Sequence, residues 1–311
     1  MSKALNATEH RSINRVKSVA ICLTAYLAAV VVVIITGYIL QDYHPIIIAG
    51  AADLAATIVI FGFSVYYGNA SIYDPYWSVA PPFIAAFWLL NSGSINDIGL
   101  REAIVLILLA FWSVRLTFNW LRRWRGLNHE DWRYKYFREK TGRAFGLVNF
   151  LGIHLFPTIL VFGGCLPLYA ILFTGINTFG LLDCLAIVIT AGAIFIEAKA
   201  DRQLHDFLST NINKGQLLSS GLWGYSRHPN YFGEVLFWWG LFLFALAANI
   251  TYWWTIIGPV MITLLFTCIS IPLIENHMLK RNPDYILLIQ KISAFVPWRG
   301  KQFDETNLRI G

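Results

Sequence analysis

Apolar residues in this chain gather into long runs that carry almost no charge, rather than alternating with polar ones at the spacing of a half-buried strand or an amphipathic helix. A hydrocarbon core of roughly 30 Å needs about twenty such residues in a helix. Runs of this kind are read at 18–40, 46–67, 76–91, 101–119, 147–173, 180–198, 230–248 and 252–274. The pattern predicts an all-α, polytopic transmembrane helical bundle of about 8 spans. The segment 76–91 is short and interrupted by Pro81-Pro82, and the count is 7 if it is re-entrant.

The first run follows a tail holding Lys3, Arg11, Arg15 and Lys17, and no small-residue cleavage site follows it, so it is expected to remain as an anchor. With the amino terminus facing the cytoplasm, eight crossings place 1–17, 119–145, 199–229 and 275–311 on that side. These segments hold 22 of the 24 Lys and Arg, with Arg101 and Arg115 the exceptions. That is the asymmetry of the positive-inside rule, and it predicts cytoplasmic termini. Four parts are expected: a basic tail 1–17, membrane helices over 18–100, a membrane domain over 101–300 and a loose tail 301–311.

Composition agrees with the runs. Hydrophobic residues make up 57% of 311 and charged ones 14%, against roughly a quarter charged in a soluble domain, which excludes a disordered chain and an ordinary soluble enzyme. The net charge of +6 is explained by a surface facing anionic lipid, or by an anionic cofactor; no nucleic acid is needed. Cys22, Cys165, Cys184 and Cys268 lack paired spacing and the seven histidines are scattered, so neither a disulfide framework nor a metal site is expected. No dinucleotide fingerprint, phosphate loop, metalloprotease helix or nucleophile elbow occurs.

Chemistry concentrates in 221–234. Pro229 suits the first turn of a helix, which puts Arg227 and His228 at a helix amino end, where free N–H groups and the macrodipole favour an anion. Asn230 and Glu234, four residues apart, share a face of that helix. The alternative is a hydrogen-bonded interfacial turn with Tyr and Trp as belt residues. Glu197 and Asp201 repeat the four-residue spacing at a helix carboxyl end, where carboxylates oppose the dipole and need partners; Asp201 could hold a ribose hydroxyl or amide, or be met by Lys199, Arg202 or water. Glu275 has the same status. Arg115 lies within an apolar run and either snorkels or meets an anion. Asn119 and the arginines beyond it lead into a loop of eight cations against three acids, and guanidinium forks suit a pyrophosphate and a 2′-phosphate.

The run Leu222-Trp-Gly-Tyr-Ser-Arg-His-Pro-Asn-Tyr-Phe-Gly-Glu234, with Ile271-Pro-Leu-Ile-Glu275, Asn282-Pro-Asp-Tyr285 and Ser293-Ala-Phe-Val-Pro-Trp298, resembles the DUF1295 branch of the steroid 5-alpha-reductase C-terminal family. Trp112-Ser-Val-Arg-Leu-Thr-Phe-Asn119, Glu130-Asp-Trp-Arg-Tyr134 and Asp74-Pro-Tyr-Trp77 resemble it too, over about residues 70–300. The resemblance implies a membrane bundle that binds NADPH at its cytoplasmic side and reduces an activated C=C bond of an apolar, sterol-like or polyprenoid lipid. Asp201, Asn230 and Glu234 match positions that hold the cofactor in steroid reductases, and Arg227, His228 and Tyr231 match the shared turn of the wider superfamily. Trp112 stands where the steroid enzymes carry their catalytic tyrosine and has no phenolic proton, so Asp74, Tyr76 and Tyr231 are the candidates for the proton or polarising role. The alternatives are an S-adenosylmethionine-dependent lipid or prenyl-thiol methyltransferase, since Arg-His-Pro-x-Tyr recurs there, and a lipid-binding or scaffolding membrane protein. A multi-pass protein of a bacterial inner membrane or of the endoplasmic reticulum, with a lipid-like substrate as its partner, is expected.

Overall fold

The computed structural model describes residues 14–93, 97–210 and 216–298. Among them the regular elements are helices: α1 Arg15–Ile39, α2 Pro45–Tyr66, α3 Tyr76–Asn91, α4 Leu100–Arg123, α5 Trp132–Thr141, α6 Phe145–Val148, α7 Phe156–Leu172, α8 Leu181–Thr210, α9 Pro229–Ala248, α10 Ile257–Leu264, α11 Ile271–Arg281 and α12 Tyr285–Lys291. Seven helical segments among the described residues are long and apolar enough to cross a membrane. The segment α3 is a continuous helix through Pro81 and Pro82, but 16 residues at about 1.5 Å each fall short of a full crossing. Large apolar side chains such as Leu27, Ile107, Phe111, Val188 and Leu264 face outward, as they must where the surrounding solvent is hydrocarbon.

The residues form two compact units, Met1–Ile84 with Ser113–Ile159, and Ala85–Trp112 with Leu160–Gly311. In the first, Asn14 caps α1 by accepting the Lys17 N–H at 2.8 Å, and His44 caps α2 ahead of Pro45. A turn at 67–75 is tied to the segment after α4: Asn69 Nδ2 donates to the Leu127 carbonyl at 2.8 Å, and the Ala70 N–H donates to Glu130 at 3.0 Å. Between α6 and α7, Asn149–Leu155 widens into a π-helix, a form often found at functional sites. There His154 Nδ1 lies 2.9 Å from the Asn149 carbonyl and Nε2 lies 3.0 Å from Ser64 Oγ.

In the second unit, α8 and α9 approach through small residues. A Cβ on Gly240 would lie 2.1 Å from Thr190 Oγ1, and one on Gly233 would lie 2.7 Å from the Glu197 Cβ. The same holds where Gly258 meets the carbonyl of Gly163. With lipid on the outside there is little hydrophobic drive between helices, so close backbone approach supplies the packing energy. Gly240→Val is therefore expected to destabilise the chain by about 1–3 kcal/mol through overpacking, whereas Gly192→Ala on α8, with nothing within 4 Å, leaves the unfolding temperature in detergent unchanged. Equal effects of the two would contradict this packing.

At one end of this unit Arg101 is locked. Its Nε and Nη2 donate to the two Asp183 oxygens at 2.6 and 2.9 Å, and Nη1 and Nη2 donate to the Asn177 and Thr178 carbonyls at 2.8 and 3.0 Å. Asp183 also accepts the Gly180 N–H at 2.8 Å.

Candidate functional site

In the second unit α8 continues to Thr210, well beyond the apolar run, so Asp201 sits on a helix and is buried. Pro229 opens α9, as its fixed φ and missing donor favour. Asn230 Nδ2 reaches Asp201 Oδ1 at 3.4 Å. One turn further along α9, Glu234 is 4% exposed, and both its oxygens accept indole donors: Trp112 Nε1 at 3.0 Å and Trp238 Nε1 at 2.9 Å. Trp112 lies flat on Phe237, ring centroids 4.5 Å apart, and edge-on to Trp238. Glu197, one turn before Asp201, is also buried. The unit thus brings together three buried carboxyl groups and a carboxamide on neighbouring faces of α8 and α9.

The turn ahead of α9 is fixed to both its neighbours. Trp223 Nε1 donates to the Ala200 carbonyl at 3.1 Å, and the Leu222 N–H donates to Gln203 at 3.0 Å. Gly221 has φ +62°, a backbone conformation that favours glycine.

Arg227 and His228 turn toward the C-terminal segment. Arg227 Nε donates to Glu275 Oε1 at 2.7 Å, and Nη1 donates to the Ile289 carbonyl at 3.1 Å and, at close range, to that of Ile292. His228 Nε2 meets the same Glu275 oxygen at 3.1 Å, and its ring stacks on Tyr231, which packs against Phe266. Main-chain bonds from Arg227 to Ser293 and from Trp298 to Tyr225 lay residues 292–298 along the turn. The predicted residues Arg227, His228, Tyr231 and Glu275 are therefore brought together as one group, and Asp201, Asn230 and Glu234 as another. The residue that sequence reasoning took out of the chemistry, Trp112, is in direct contact with the second group.

In the first unit, Asp74 Oδ1 accepts the Tyr134 hydroxyl at close range, and Tyr76 OH donates to the Asp53 side chain at 2.6 Å and its carbonyl at 3.0 Å. The two predicted residues thus have different partners although they are two apart. Asp53 is 5% exposed, and its Oδ2 has no hydrogen-bond partner among the described residues. Tyr73 stacks on Tyr76 at 5.1 Å and bonds Thr158, which bonds Thr57, at 2.7 and 2.8 Å. Arg115 and Asn119, one turn apart on α4, are partly buried. Asp53 was missed by sequence reasoning. Its signal was present, as an acid inside an apolar run is costly unless it is used.

Burial pushes the Asp74 carboxyl up to about 7, against the opposing pull of Arg133 and the Tyr134 hydrogen bond. Asp131 is also raised by burial, but the adjacent Arg133 guanidinium outweighs this and holds it below the ordinary range. An acid whose native pKa lies above its unfolded value of about 3.9 contributes stability that is present below that value and lost as pH rises to the native one. An unfolding series from pH 4 to 8 is expected to show this loss in the wild type and to lack it in Asp74→Asn; identical pH profiles would contradict it.

Residues 60–291 match the family described as "Protein of unknown function (DUF1295)". A relative from the fission yeast Schizosaccharomyces pombe, "Uncharacterized protein C594.04c", is 28% identical over 262 residues, covering 77% of this chain and 76% of the relative. No solved structure matches the chain. With the greater part of its length matched, and with a helical membrane architecture, this chain belongs to the DUF1295 family, within the steroid 5-alpha-reductase-like group.

Proposed function

We propose that the chain is an integral membrane NADPH-dependent oxidoreductase that reduces the C=C bond of an enone-type, apolar lipid. The observation that carries this reading is the group Asp201, Asn230 and Glu234 in the second unit, where two buried carboxyl groups and a partly buried carboxamide lie on two adjacent helix faces. Carboxylates accept the hydroxyl and amide donors of a nucleotide, and a carboxamide pairs with either kind of group. This set of carboxyl acceptors with one carboxamide therefore suits the ribose and amide parts of NADPH. Arg227, His228 and Glu275 fix the turn that precedes Asn230, so they act on the cofactor group by holding the start of α9. For the phosphates the candidates stay those the sequence alone names, Arg115 and Asn119 of the first unit, since a guanidinium reads a 2′-phosphate through two donors.

When bound, NADPH supplies a hydride to the lipid. The protein's share is to polarise the acceptor and deliver a proton, and in this reading Tyr76 does so. A protonated Asp53 would donate to the phenolic oxygen and free the Tyr76 O–H for a carbonyl; an ionised Asp53 would draw that proton to itself. Asp74, bonded to Tyr134, and Tyr231, stacked on His228, are the other candidates for this role. A general acid of this kind contributes about 10²–10⁴-fold in rate. Tyr76→Phe is expected to lower NADPH consumption by that factor with the lipid that co-purifies in mild detergent, while NADPH affinity stays at the wild-type value. Undiminished consumption would transfer the role to another residue.

The cofactor reading is tested by titrating the purified protein with NADPH and with S-adenosylmethionine. Binding of the latter alone would make the chain a methyltransferase. Arg115→Leu is expected to weaken NADPH more than NADH; equal losses would show that Arg115 does not read the 2′-phosphate.

A further inference from the structure

A closed circuit of neutral contacts surrounds Tyr76 in the first unit. The Tyr76 hydroxyl donates to Asp53 Oδ1 at 2.6 Å and to the Asp53 main-chain carbonyl at 3.0 Å. Thr57 Oγ1 donates to that same carbonyl at 2.9 Å and lies 2.8 Å from Thr158 Oγ1. Thr158 Oγ1 in turn lies 2.7 Å from the Tyr73 hydroxyl, and the Tyr73 ring stacks back on Tyr76, with centroids 5.1 Å apart and planes inclined by 18°. The Tyr73 ring also meets His154, centroids 4.7 Å apart. That histidine lies in the π-helical turn Asn149–Leu155, and both its ring nitrogens are engaged, one by the Asn149 carbonyl and one by Ser64. All of these side chains are buried. Packing alone does not require them to be polar. Hydroxyl groups taken into a dry bundle lose their water, and a Phe with two Val of similar shape would fill the space without that cost. What the circuit does achieve is to hold the Tyr76 phenol twice, its oxygen on Asp53 and its ring on Tyr73.

We propose that Tyr73 is a positioning residue for Tyr76, and that Thr158 and His154 set Tyr73 in its turn. The inference rests on the reductase reading, in which Tyr76 polarises the lipid carbonyl and delivers the proton, and deepens it. A reacting group must stay within a near-attack geometry, and a phenol free to rotate about its side-chain bonds carries its oxygen out of it. The stacked Tyr73 ring blocks that rotation, and the contact with Thr158 keeps the ring where it is. Tyr73 therefore acts only through the Tyr76 oxygen, and its effect vanishes where that oxygen is absent.

The experiment uses the full chain in mild detergent, labelled with ¹³Cζ-tyrosine, and follows NADPH consumption with the co-purifying lipid, NADPH affinity and the unfolding temperature. Tyr73→Phe keeps the stacked ring and deletes its contact with Thr158; Thr158→Val deletes the same contact from the other side. Each is expected to lower turnover about tenfold at unchanged NADPH affinity, less than the roughly hundredfold that a misplacement of about 1 Å can cost. In the Tyr76→Phe background the same two substitutions are expected to lower turnover no further, because residues that act as a unit are not additive. Ile60→Val is the control. Ile60 is fully buried in the same core cluster, and its substitution is expected to lower the unfolding temperature and leave turnover unchanged. The tyrosine resonance that vanishes in Tyr76→Phe is expected to shift in Tyr73→Phe and in Thr158→Val. Wild-type turnover in both single variants overturns the proposal, as do losses that persist in full without the Tyr76 oxygen, an equal loss in the Ile60 control, or a Tyr76 resonance that moves in neither variant. Undiminished turnover in Tyr76→Phe overturns the positioning role and leaves the reductase reading standing. A wild type that binds no NADPH overturns the reductase reading, and the positioning role with it.

Discussion

Glu234→Gln is expected to abolish saturable NADPH binding while the protein remains inserted and folded. The wild-type carboxyl group accepts at both oxygens, from Trp112 and from Trp238. A glutamine presents one oxygen and one NH₂, so one indole N–H must then face another donor. A buried donor left without an acceptor costs about 1–3 kcal/mol, more when a charge is involved. The side chain would rotate or withdraw to relieve this, and the acceptor pair offered to a ligand would be lost. Asn230→Ala is expected to act in the same direction, because it removes the carboxamide that reaches Asp201. Isothermal titration of both variants, with the unfolding temperature as a check on folding, decides the matter. Wild-type NADPH affinity in both would remove the site assignment.

The second large effect is on stability. Arg101→Met is expected to cost about 3–5 kcal/mol, the usual result of leaving one partner of a buried ion pair uncompensated. Arg101 is 4% exposed and Asp183 1%, so water cannot replace the guanidinium. The loss also frees the carbonyls of Asn177 and Thr178, which tie the connection before α8 to the start of α4. The double variant Arg101→Met with Asp183→Leu is expected to recover much of the loss, because it removes the stranded charge as well. A drop in unfolding temperature as small as that of an exposed substitution, such as Arg202→Ala, would contradict the lock.

What was legible in the sequence depended on whether the information was local. The apolar runs gave the helices because a hydrocarbon solvent forces every backbone group into internal hydrogen bonds, and Pro229 marked the first turn of α9. The weak third segment was readable too, as its 16 residues are too few for a full crossing. The four-residue spacings of Glu197 with Asp201 and of Asn230 with Glu234 placed these side chains on single helix faces, which is where they lie.

Partners distant in sequence were not legible. Nothing near Glu234 announces that Trp112, 122 positions earlier, donates to it, and Arg101 read as an isolated edge charge until Asp183 was found beside it. Arg227 is the instructive case. Its place at a helix amino end pointed to an anion, but the anion it meets in the chain itself is Glu275, with two main-chain carbonyls of the C-terminal segment. Local electrostatics at a helix end states what kind of group is favoured there and not where that group comes from. Asp53 was hidden for another reason: averaged over an apolar run, one acid barely changes the hydropathy, although physically it is the least expected residue in α2.

In the proposed function the α8 and α9 carboxyl and carboxamide groups hold a phosphorylated redox nucleotide. Its most direct test is equilibrium titration of the purified wild-type chain in mild detergent with NADPH, NADH and S-adenosylmethionine in parallel. Saturable binding of NADPH, weaker binding of NADH and no binding of S-adenosylmethionine are expected. Absence of NADPH binding, or binding of S-adenosylmethionine alone, would contradict it.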